Sequence, residues 1–360
     1  MLLHPLTRKR GSEMLKIIFP TLGRFRFAVQ LTMLLVTVYG GALLGSYAVD
    51  RVSQALPSLS CAYDKMTGDH CILIVNQHQL HHRVGEALAK IQDITFKVFI
   101  PTLLSVGIFF MFFFFLNKAF CGWVCPMGTV QELLYRIGRR LGRPLNRFHA
   151  GNVGKVRPVK WLMLLVLVLG LPLLAGMGVA ANELGDPYCQ VCPSRLATTL
   201  LTADAEQLAV RTSTGVNFFL GAVGNALFGF VIIAALAVRQ PFCRICPLLS
   251  WNALFQRLSP MRLVKKQYDK CEKCGVCAKA CPMDIHEIGS EHGKKAFHED
   301  CTLCGRCAEY CPDDEVIQIR FFGIRLFGSS RDYYKNRVKR ESPEGLPKRR
   351  VIPIIAKPAP

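Results

Sequence analysis

The chain has 360 residues, 51% of them hydrophobic, and 45 Lys and Arg against 25 Asp and Glu give it a net charge of +20. That composition suits a membrane protein with a soluble appendage better than a secreted globule. The basic surplus falls where membrane topology places Lys and Arg, which sets nucleic acid aside and leaves anionic lipid headgroups and an acidic redox protein as partners.

Residues 1–26 form a basic arm with Arg8, Lys9, Arg10, Lys16, Arg24 and Arg26, read as the flank of an uncleaved anchor. Four apolar stretches near Phe27–Val49, Val98–Leu116, Val159–Ala181 and Val216–Val238 are long enough to span a bilayer, which takes about 20 residues. The arm, the second-to-third connection and the tail are rich in Lys and Arg; Asn182–Gly215 carries only Arg195 and Arg211. The positive-inside rule then predicts a multi-pass protein of a bacterial inner membrane with both termini cytoplasmic. The membrane part covers 27–258, with a periplasmic loop over 50–97.

On the predicted outer face lie Cys61 and Cys71, and behind the third span comes Cys189-Gln-Val-Cys192-Pro193. These four could make a metal or cluster site, but an oxidising compartment favours disulfides or redox dithiols. The same loop gathers His70, His78, His81 and His82, where copper, zinc or haem ligation competes with a solvated loop carrying no ligand. The third span is interrupted by Gly170, Pro172, Gly176 and Gly178, read either as a quinone pocket or as close helix packing. The spans lack Asp and Glu, so Glu132, Glu183 and Asp186 are the acidic candidates for accepting a quinol proton.

A repeat marks the inner membrane edge. Phe120-Cys121-x3-Cys125-Pro126 follows the second span and Phe242-Cys243-x2-Cys246-Pro247 follows the fourth. Leu133-Leu134 and Leu254-Phe255, then Arg136 and Arg257, keep the same offsets. Each unit reads as span, cysteine pair, proline and a short amphipathic helix. The four thiols on one face point to a third cluster or a metal site, with structural cysteines or a dithiol couple as the alternative.

The strongest signal comes last. Cys271-x2-Cys274-x2-Cys277-x3-Cys281-Pro282 is followed by Cys301-x2-Cys304-x2-Cys307-x3-Cys311-Pro312, the bacterial ferredoxin run twice over. In such pairs the fourth cysteine reaches the other cluster. Cys271, Cys274, Cys277 and Cys311 are therefore expected to hold one [4Fe–4S], and Cys281, Cys301, Cys304 and Cys307 the second. Zinc ribbons use CxxC pairs but need neither the third cysteine nor the CP. The ferredoxin domain is assigned to 259–325, with Ser259–Lys270 as a linker and Asp284–Asp300 as a small insertion. The tail 326–360 is expected to be basic and partly disordered or lipid-bound. The chain has no Walker motif, GxGxxG, CxxCH or hydrolase signature.

The stretch from Cys121 to Leu134, the CxxCP after the last span and the trailing twin run resemble the NosR/NapH/MauN membrane polyferredoxins, over roughly 27–320. The resemblance implies a four-helix membrane bundle with a C-terminal α+β two-cluster ferredoxin domain. It also implies electron transfer between the quinone pool, or a cytoplasmic reductant, and a redox partner in a respiratory pathway. NapH-like relatives are associated with quinol oxidation, and CcoG-like ones with copper reduction. Three departures stand out: no NosR-type flavin domain, a CxxCP in place of the second CxxxCP, and the additional pair Cys189/Cys192. A quinol dehydrogenase activity, a maturation factor reducing copper or disulfides for a periplasmic metalloenzyme, and a redox-sensing membrane regulator follow as readings of function.

Overall fold

In the computed structural model, the described residues are 21–44, 63–64, 68–69, 72–90, 100, 103–104, 107, 110–111, 114–142, 150–201, 203, 208–210, 212–266, 271 and 274–340. Cys61, Cys71, His70 and most of the second expected span lie outside them, as do 341–360.

Helix α1, Leu22–Leu44, starts at the basic arm and is almost wholly apolar after Arg26. A helical run over 72–90 (α2) contains a π segment, Gln79–Gly85. Helix α3, Pro126–Arg140, begins with Pro at its first turn and buries Met127, Gln131, Glu132, Tyr135 and Gly138 along one face. A run over 150–176 (α4) passes through a π segment, Leu164–Gly170. Two short helices follow, α5 (Pro187–Val191) and α6 (Pro193–Leu201), then the long α7 (Gly215–Ala237) and α8 (Pro247–Leu254).

Two described helices are long and apolar enough to cross a membrane, Val153–Gly176 and Gly215–Ala237. Their outward faces carry Leu162, Leu165, Phe219, Phe230 and Ile233, all at least 60% exposed. A helix at the core of a soluble protein would hide such residues, and contiguous exposed apolar surface suits lipid. Small residues let the helices close on one another. A Cβ on Gly138 of α3 would lie 2.0 Å from the Leu236 carbonyl oxygen of α7, so only glycine fits there.

The segment 182–201 departs from the expected outer connection. It folds back into the bundle as a re-entrant hairpin: Gly224, in the middle of α7, lies against Gln190 and Val191. At 1.5 Å per residue this contact sits about 20 Å along α7 from Val238. The Leu201 carbonyl returns to the far end of α1, where it accepts from the Tyr39 hydroxyl at 2.7 Å. The reason is chemical: from Pro187 to Leu201 the chain carries one charge, Arg195. Irregular backbone at such depth is tolerated only when other protein surrounds it. Here Tyr188, Val191, Leu196 and Ala197 are buried.

The C-terminal part is a three-stranded antiparallel sheet, β1 (Met261–Lys265), β2 (Ile317–Phe321) and β3 (Ile324–Gly328), in the order β1–β2–β3. Two short helices, α9 (Val276–Ala280) and α10 (Arg306–Glu309), carry the cysteine runs. The stretch expected as a linker thus supplies a strand, because Leu263 and Lys265 of Met261–Lys265 point inward. Within the tail, Arg331–Arg340 forms helix α11, and the Tyr333 hydroxyl accepts from the Leu22 amide of α1.

Candidate iron–sulfur sites

The two ferredoxin runs fold alike. Gly275 and Gly305 take φ of +69° and +77°, the left-handed region that glycine enters without a Cβ penalty, and each opens the short helix holding the third cysteine of its run. That turn curls three thiols round a hollow. One cavity is lined by Cys271, Cys274, Cys277 and Cys311; the other by Cys281, Cys301, Cys304 and Cys307. The grouping is crossed, with the last cysteine of each run in the other run's cavity. Cys274 alone among the eight is exposed. Burial, with Cys304 close by, pushes the Cys301 thiol up to about 12, and burial pushes Cys311 up to about 11. Bare thiolates are disfavoured in both places, so anionic sulfur there needs a cationic partner such as iron.

The membrane-edge cysteines also converge. Cys246 has Cys121, Cys243, Cys192 and Cys125 around it. Two buried side-chain amides donate to sulfur: Gln131 Nε2 to Cys243 Sγ at 3.5 Å and Asn252 Nδ2 to Cys121 Sγ at 3.7 Å. Such bonds favour anionic sulfur. Neither amide was singled out in the sequence, although Gln131 and Asn252 stand five and five residues past Pro126 and Pro247, the same offset in both repeats. Cys192 was expected on the opposite face with Cys189, Cys61 and Cys71. It stands instead beside Cys246, at the tip of the re-entrant hairpin, where Tyr188 Oη lies 3.7 Å from its Sγ and 4.0 Å from Cys246 Sγ. The paired prolines at 187 and 193 and the absence of any charge between them were the available signal.

The ferredoxin part docks onto this thiol group. A Cβ on Gly122 would fall 2.2 Å from the Thr302 carbonyl oxygen and 3.3 Å from Cys304 Cα, so the membrane loop touches the second cluster run directly. Trp123 Nε1 donates to the Leu303 carbonyl at 3.0 Å. Fully buried Lys118 reaches Gln256 Oε1 at 2.6 Å and the Glu299 carbonyl, with Cys301 and Cys121 both within its field. Desolvation lowers its pKa to about 8, against the pull of Cys301.

Two ionic groups hold the parts together. On α4, Arg157 binds Asp300 at 2.7 Å and Glu287 at 2.6 Å, while Lys160 binds Glu299 at 2.9 Å and also Asp300. All three acids come from the expected insertion, Asp284–Asp300, which is therefore a docking element. Near α3, Glu132 faces Arg26, Arg136 and Arg306 at 3.5–3.7 Å. Burial would raise its pKa, but Arg26, Arg239, Arg306 and Arg136 overcome this and hold the carboxyl at about 2. Glu132 is thus an ionic strut and not the proton acceptor suggested from position. On α2, His82 pairs with Glu86 at 3.1 Å, and the His81 and His82 rings lie 4.1 Å apart. Among the described residues no three His, Cys, Asp or Glu close on a single metal ion.

The sequence comparisons agree with this layout. A family described as a 4Fe-4S binding domain matches 98–144 and 220–266, one copy over each membrane-edge repeat. A 4Fe-4S dicluster domain matches 263–325. The regulatory protein NosR of Stutzerimonas stutzeri is 24% identical over 56% of the chain. The methylamine utilization ferredoxin-type protein MauN of Methylobacillus flagellatus is 26% identical over 55%. The chain is a relative of the NosR/NapH/MauN ferredoxin-type proteins. An uncharacterized protein of Methanocaldococcus jannaschii is 26% identical over 59% of the chain. The matched region spans 72% of that archaeal protein, 56% of MauN and a quarter of NosR. No solved structure matches.

Proposed function

We propose that this chain is a membrane-associated iron–sulfur protein that passes electrons between a cytoplasmic reductant, or the quinone pool, and a redox partner at the membrane. Cys271, Cys274, Cys277 and Cys311 would hold one [4Fe–4S], and Cys281, Cys301, Cys304 and Cys307 a second. Cys121, Cys125, Cys243 and Cys246 offer a third site. A [4Fe–4S] group supplies reversible one-electron storage. The residues supply the rest: thiols spread round cavity walls, amide donors to sulfur at Cys121 and Cys243, and burial that keeps water away.

The observation that carries the reading is the contact at Gly122. Through it the second ferredoxin run and the membrane thiols share one interface, with Lys118 between them. An appended ferredoxin with no membrane role would not need that junction. The position of Cys192 weighs against the maturation-factor reading, since its half-buried thiol stands beside Cys246 at the membrane-edge site rather than with Cys61 and Cys71 as that reading expects.

Iron, acid-labile sulfide and EPR on anaerobically purified full-length protein test it. About eight irons per chain are expected from the twin runs and about twelve with the membrane site filled. Cys274→Ser should abolish one cluster signal. Two unaltered cluster signals in that variant would refute the ligand assignment.

A further inference from the structure

Three cysteines in this chain stand immediately before a proline that opens a helix of eight residues or more: Cys125, Cys192 and Cys246. Their backbones agree, with ψ of 120°, 117° and 123°. The cause is local: proline bars the helical region to the residue before it, so each cysteine is extended while its successor begins a helix. Each thiol therefore sits at a helix N-terminus, where unpaired amides and the helix dipole favour anionic sulfur. The second observation is convergence. Cys125, Cys192 and Cys246 all pack against one small core of Met127, Ala197, Val231 and Phe242. The third is a bridge: the Tyr188 hydroxyl touches both Cys192 and Cys246.

We propose that the pair at 189–193 is a third arm of the membrane-edge site, and that Cys192 supplies a thiol to the iron–sulfur group held there. This rests on the reading of that site as iron–sulfur and extends it. The matched 4Fe-4S binding regions end at 144 and begin again at 220, so they leave the hairpin unassigned. Five thiols then surround the site, one more than a cube takes, so Cys192 would take the place of one of Cys121, Cys125, Cys243 and Cys246 and leave that thiol unligated. The site also reaches from the ferredoxin interface into the interior of the bundle, since the hairpin tip lies between Val231 and Gly224 in its contacts with α7. Tyr188 is a positioning residue, fixing the two sulfurs through its hydroxyl; its own amide is held by Gln77 Oε1 at 3.3 Å.

The test compares full-length wild type, Cys192→Ser, Tyr188→Phe and the Cys61→Ser/Cys71→Ser pair, purified anaerobically in detergent. Wild type should carry about twelve irons and a third EPR species. Cys192→Ser should lose that species, and up to about four irons, or shift its g-values, while both ferredoxin signals persist. Tyr188→Phe, which removes only a hydroxyl, should shift the third species' midpoint potential without loss of iron. Cys61→Ser/Cys71→Ser should leave it unchanged. A third species unaltered in Cys192→Ser and Tyr188→Phe overturns the proposal, as does loss of one shared centre in Cys192→Ser and in Cys61→Ser/Cys71→Ser. Only eight irons in wild type would overturn the parent reading as well, and is recognised by that count alone. Where Cys192→Ser fails to fold, both ferredoxin signals vanish too and the Tyr188→Phe potential decides.

Discussion

Glu132 concentrates the electrostatics of the junction into one residue. It is 2% exposed and faces guanidinium groups from α1, α3 and α10. A buried charge stripped of its partner is costly, so Glu132→Gln, which leaves several arginines facing one another, should destabilise the protein by about 3–5 kcal/mol in denaturant unfolding. The pH dependence has a fixed sign. The folded carboxyl titrates near 2, below its ordinary 4.5. Its stabilisation is therefore complete above pH 4.5 and is lost as the pH falls toward 2. Stability measured from pH 8 to 5 should carry no pH dependence from this group, and a loss absent from Glu132→Gln should appear only below 4.5.

At the scale of elements, the insertion 284–300 does the docking. Arg157 and Lys160 lie one turn apart on α4, at i and i+3, and so present one face to Glu287, Glu299 and Asp300. Arg157→Ala/Lys160→Ala leaves Asp300, 6% exposed, without its two strongest partners. Faster amide exchange across 284–300 and at the Gly122 loop should follow, with the sheet β1–β3 unaffected; unchanged exchange would mean that apolar packing alone holds the junction. Much of this architecture was legible in the chain. The ferredoxin quartets follow from a spacing rule that uses sequence distance alone, and the cavities group the same eight cysteines. The membrane-edge repeat was legible for the same reason. The re-entrant hairpin was not, because hydropathy counts apolar length and the two helices, of five and nine residues, are each too short to register. The acidic docking surface was missed because its partners lie some 130–140 positions away in sequence. Strand β1 was hidden in a basic stretch, Met261–Lys265, whose buried lysine is satisfied by the Ile288 and Gly289 carbonyls at 2.8 and 3.0 Å.

The whole molecule joins two kinds of structure, apolar helices and a small sheet with cysteine loops, through one continuous core. Cys121, Cys243, Leu164 and Val168 belong to the same buried cluster as Cys277, Cys307, Met283 and Ile317. Arg244 strengthens the seam: its guanidinium donates to Asp284 Oδ2 at 2.7 Å and to the Met283 carbonyl at 2.7 Å. The seam has a kinetic consequence. Some redox proteins carry their cofactor on a head that swings between donor and acceptor, and their turnover then waits on diffusion of that head. A head clamped by Arg157, Lys160, Arg244 and the Gly122 contact has no such stroke. Electron throughput should therefore change by less than about twofold when glycerol thickens the medium several-fold, whereas a swinging carrier would slow in proportion. The chain would behave as fixed wiring, its rate set by spacing and driving force rather than by the friction of a moving part.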